Sequence, residues 1–82
     1  MTTMAEPTTL LEAHDVANAR RPAPGANASA WLAFHQANAR MYRAVAGVDR
    51  WHHHEANYWA GFEERQATAV SERMQEDKTE RR

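Results

Sequence analysis

The stretch Val45-Ala46-Gly47-Val48-Asp49-Arg50-Trp51 decides the fold, because it breaks the chain between two long amphipathic runs. Before it, Trp31, Phe34, His35, Asn38, Met41, Tyr42 and Val45 recur at steps of three and four, the spacing of one helical face. After it, Trp51, Glu55, Tyr58, Phe62 and Ala69 repeat the same spacing, flanked by Trp59, Gln66 and Val70. Ser29 is expected to open the first run as an N-cap. Gly47 is expected to close it as a C-cap, with Val48 supplying the apolar contact of a Schellman motif. Asp49 is then placed to cap the second run. Two long helices joined by so short a link form an antiparallel hairpin. With Val48 at its centre, Val45 faces Trp51, Met41 and Tyr42 face Glu55 and His54, Asn38 faces Tyr58, and Phe34 faces Phe62. Gly61 falls opposite His35, where a missing side chain lets the helices approach.

Outward from the hairpin the signals are weaker. Thr9-Leu10-Leu11-Glu12 fits the capping-box pattern and predicts a short helix over residues 10–20, with Leu10, Ala13 and Ala17 on one face. Pro22, Pro24 and Gly25 mark residues 21–28 as a linker. After Val70 the apolar spacing fades, and residues 71–82 are almost wholly charged or polar. The reading is an all-α protein: an antiparallel helical hairpin (about 29–46 and 50–72) preceded by a short N-terminal helix. Residues 1–28 comprise a flexible N-terminus, that helix and the linker. Residues 29–72 form the hairpin domain, and residues 73–82 a charged, frayed tail.

Composition limits what such a chain can do. Eighty-two residues make one domain, and a domain this small is marginal unless something completes its core. There is no Ile, Leu occurs only at positions 10, 11 and 32, and Val only at 16, 45, 48 and 70. The core or an interaction surface must therefore draw on Trp31, Phe34, Tyr42, Trp51, Tyr58, Trp59 and Phe62. With no Cys, disulfides and thiolate chemistry are excluded. The net charge of -1 gives no electrostatic footprint for nucleic acid or an anionic membrane. No apolar run reaches membrane-spanning length, and the start of the chain does not read as a signal peptide, so a cytoplasmic location is expected.

His52-His53-His54-Glu55 invites a metal reading, since imidazole and carboxylate suit several transition metals. Adjacent helical residues point about 100° apart, so the three histidines cannot converge on one ion. A site would have to combine His52, His54 or Glu55 with His35 from the other helix, or with a second subunit. The geometry instead leaves His52 and His53 in solvent and sets His54 beside Tyr42. No metal or other cofactor is expected. An enzyme is not expected either, because the chain holds no phosphate loop or nucleophile motif and is short for enclosing a pocket. Ala46-Gly47-Val48-Asp49-Arg50 is similar to the turn of a helix-turn-helix. That motif wants a small buried residue where Arg43 stands and an apolar one where His53 stands. DNA binding is therefore the alternative function, and a His-based metal protein a further one.

His35-Gln-Ala-Asn-Ala-Arg-Met-Tyr42 and His52-His-His-Glu-Ala-Asn-Tyr-Trp-Ala60 resemble segments of small proteins from high-GC actinobacteria that carry no assigned activity. The resemblance spans residues 31–66 and implies an accessory or regulatory role. The function expected from the sequence is a small non-catalytic protein–protein interaction module, engaging another protein or a second copy of itself.

Overall fold

A computed structural model describes residues 6–80 of the chain. Three α-helices follow in order: α1 (Leu10–Ala19), α2 (Ala28–Val48) and α3 (His53–Glu80), with one 3₁₀ turn at Arg50–His52 between the last two. The protein is all-α, a short helix followed by a long helix pair. The expected flexibility of residues 1–5 and the last two residues of the tail lie outside the described residues.

Each helix start has a local cause. Thr9 caps α1, its hydroxyl accepting from the Glu12 amide at 3.1 Å. Glu12 reaches back to the amide of Thr8 at 3.0 Å, one residue before the capping-box position. The helix ends at Ala19, one residue short of the expected boundary. Asn27, not Ser29, caps α2: its Oδ1 accepts from the Ala30 amide at 2.9 Å. The linker ends sooner than its composition suggests, because Asn is as good a cap as Ser.

The largest correction concerns Gly47. The glycine does not stop α2, which runs on through Val48, and no described residue adopts positive φ. A left-handed cap serves to satisfy orphan carbonyls at a helix end. Those carbonyls have other donors. The Asp49 amide donates to Val45 O at 2.8 Å, and His53 Nδ1 donates to Ala46 O at 2.9 Å. The bend consequently centres on Arg50 and Trp51 instead of Val48, and the pairing of the two arms slides. Tyr42 lies near Trp59, Asn38 meets Glu63, and Ala46 meets His53. The inner face of α3 becomes Ala56, Ala60 and Glu63, with Trp59 and Phe62 beside it. Trp51 and Tyr58, expected to face Val45 and Asn38, turn outward and are 95% and 60% exposed.

The core is a seam of small residues. Ala13 and Ala17 of α1, Val45 and Ala46 of α2, and Ala56 and Ala60 of α3 are buried together with Leu10 and Tyr42; Met41 and Trp59 pack at its edge. Arg43 fastens the arms from outside, donating to Asn57 at 2.8 Å and to both oxygens of Glu64 at 2.9 Å. α3 is helical through Glu80, past residue 72 where the helix was expected to end. Val70, Ser71 and Met74 remain half-buried, and the run contains no Gly or Pro and many good helix formers.

Gly61 does not serve a close approach of the helices, contrary to expectation. A methyl group there would meet only the guanidinium end of Arg65, at 3.2 Å, a side chain free to move. Gly61→Ala should therefore raise stability by about 0.5–1 kcal/mol, seen as a higher urea midpoint with an unchanged slope.

Candidate functional site

Four side chains tie the three helices together through a polar relay. Arg20, just past α1, donates from Nε to Asn38 Oδ1 on α2 at 2.8 Å. Asn38 is fully buried and donates from Nδ2 to Glu63 Oε2 on α3 at 3.2 Å. His35, one turn before Asn38 on α2, lies with Nδ1 2.5 Å from Glu63 Oε1. A carboxylate only accepts, so the proton of this bond sits on Nδ1. Both Glu63 oxygens thus have donors, which a carboxylate only 7% exposed requires. Among the described residues, no buried side-chain polar atom lacks a partner.

Beside the relay runs an aromatic cluster. His14 on α1 lies 2.7 Å from the Tyr42 hydroxyl and stands edge-on to Trp59, with ring centroids 5.3 Å apart. Burial raises the Tyr42 phenol above its ordinary value, the Glu63 charge adds to this, and Arg20 opposes it. Trp59 continues edge-on into Phe62 at 5.6 Å. At the other end Trp31 stands edge-on to Phe34 at 5.7 Å, and the Arg21 guanidinium lies over the Trp31 ring at 5.4 Å. Between these groups and the relay opens a cleft of about 370 Å³, walled by all three helices.

The candidates read from the sequence separate into two groups. Phe34 and Tyr42 are buried, and Trp31, Trp59 and Phe62 are half-buried; all five line the cleft. Trp51 and Tyr58 lie outside it. His52, His53 and His54 are exposed. His52 bonds Asp49 at 3.0 Å, His53 donates to Ala46 O, and His54 stands edge-on to His53 instead of beside Tyr42. Two of the three histidines therefore fasten the bend. Among the described residues, no three His, Asp or Glu side chains are grouped as a metal site would need, and His35 joins Glu63, not His52, His54 or Glu55. Glu63 and Arg20 were not singled out in the sequence. Glu63 stands three residues after Ala60 and seven after Ala56, a helical spacing that marks it once the alanine face is known.

Asp49 does not cap α3. Its Oδ2 accepts from the Leu10 amide at 2.9 Å, across 39 positions of sequence, and clips the start of α1 to the bend. The Leu10 amide chiefly holds the Asp49 carboxyl below its ordinary value; partial burial opposes this, and His52 assists. Since the folded value lies below the unfolded one, the clip stabilises fully above the ordinary carboxylate range and is lost as pH falls through the depressed value. The Leu10 amide shift in NMR spectra should move as pH falls through the depressed value of the Asp49 carboxyl. In Asp49→Asn it should stay flat.

The clip also gathers exposed apolar side chains. Leu11 follows the clipped residue, Val48 precedes Asp49, and Trp51 stands two residues beyond it; all three are exposed. Tyr58, in the second turn of α3, is exposed as well. Against known proteins, no family model matches the chain, and no curated protein or solved structure is significantly similar. No helix among the described residues is long and apolar enough to cross a membrane.

Proposed function

We propose that the protein is a small non-catalytic interaction module whose binding surface is the corner where α1 meets the α2–α3 bend. The observation that carries this is Trp51, 95% exposed on a short 3₁₀ turn whose flanks are fixed by the Asp49 clip and the His53–Ala46 bond. A large apolar ring held in water on a rigid mount costs solvation in the free protein and suits an interface anchor. Leu11 and Val48 lie close by in sequence and clip, and they extend the patch. The bound protein is a second copy of the chain or another protein.

The geometry also supports an interaction module over the helix-turn-helix alternative. The first part of α3, through Glu63 and Glu64, is committed to α2 as its antiparallel partner, and Arg43 and His53 are fastening residues there.

The test is Trp51→Ala in the full chain. Its melting curve should match the wild type, with stability changed by no more than about 0.5 kcal/mol. Sedimentation over a concentration series, and cross-linking in the native cell, should show complexes of the wild type weakened at least about tenfold, as loss of an interface anchor does. Identical behaviour of the two proteins in both assays overturns the reading.

A further inference from the structure

The aromatic cleft lies away from the Trp51 corner and is unused by that proposal. Its walls are Trp31, Phe34, Trp59 and Phe62, set edge-on to one another in pairs. Edge-on pairs present ring faces in different directions, as enclosure of a rounded guest requires. One carboxylate belongs to its lining, Glu63, and one side chain carries a permanent positive charge, Arg21. Arg21 is exposed and sits with its guanidinium over Trp31. The chain has thus already seated a cation on one wall of its own cleft. If Arg21 swings into solvent, the lining keeps its aromatic faces and Glu63 as its one acid, beside His14, His35, Asn18 and Gln66. The second arginine of the neighbourhood, Arg20, is spent on Asn38 and the Met41 sulfur. The volume of about 370 Å³ falls within the range of small-molecule sites.

We propose that this cleft binds a small organic cation of the quaternary ammonium or guanidinium class, in the place that Arg21 partly occupies. Ring quadrupoles attract such ions, and the desolvated setting strengthens the attraction. Glu63 supplies the countercharge from the floor. Its two hydrogen bonds leave lone pairs unused, so the ion need not break the relay. Arg21 acts as a built-in competitor and sets the affinity.

The experiment is a tryptophan-fluorescence titration of the full chain with tetramethylammonium and methylguanidinium, with neopentyl alcohol as a neutral analogue. Wild type should respond saturably to both cations and not to the alcohol. Arg21→Ala should bind the cations roughly two- to fivefold more tightly, the equivalent of one exposed cation–π contact. Trp31→Leu, at the exposed start of α2, should weaken binding while keeping the helical circular dichroism. Glu63→Gln, where it folds, should do the same. Absence of a saturable response in Arg21→Ala, an equal response to the neutral alcohol, or no tightening on removal of Arg21 would each overturn the proposal.

Discussion

Asn38→Ala should lower the unfolding free energy by roughly 2–4 kcal/mol. For a domain of this size that is a drop of at least about 10 °C in melting temperature. The side chain is fully buried and is the only bridge between Arg20 and Glu63 within the relay. Truncating it removes two hydrogen bonds at once and leaves Glu63 Oε2, in a carboxylate already 7% exposed, without its donor. The cost is mainly that of the stranded acceptor, not of the lost bonds. Urea unfolding checks it, with Asn18→Ala as a control on an exposed asparagine, expected to stay within about 0.5 kcal/mol. Equal urea midpoints for Asn38→Ala and wild type would show that the relay is energetically idle.

Trp59→Ala should cost about 2–4 kcal/mol. Its ring contacts His14 of α1, Tyr42 of α2 and its own neighbours Tyr58 and Phe62, so like Tyr42 it links all three helices. Its removal takes those ring contacts away and leaves the neighbouring alanines of the seam with less to pack against. The comparison with Trp51 is the sharper measurement. Two tryptophans eight positions apart should differ in thermal effect by several kcal/mol, because one is packed and the other is 95% exposed. Similar melting curves for the two alanine variants would contradict the packing described.

The helix periods, the linker and the Thr9 cap were legible in the chain, as was the inner face of α2 through Phe34, Asn38, Tyr42 and Val45. The pairing of α3 was not, for a local reason. Gly47 is the residue that most often ends a helix, but a histidine six positions later supplies the donor that the helix end needs. Nothing in the spacing of the apolar residues announces that bond. Moving the bend by two to three positions rotates α3 and exchanges Trp51 and Tyr58 for Ala56 and Ala60. The candidate cleft suffered accordingly: its α2 wall could be read, while Glu63 and the role of Arg20 depend on the rotated face. Asp49 misled in the same way, since its sequence position suits a cap and its carboxylate serves α1.

The alanine seam reaches beyond packing into how the fold responds to temperature. Ala13, Ala17, Ala46, Ala56 and Ala60 let the helices come close while burying little apolar area per residue. Unfolding then uncovers little such area, and the heat-capacity increment, which scales with it, is small. A small increment flattens the dome of stability against temperature. Moderate cooling should then change its stability little, and the dome should span a broad thermal range.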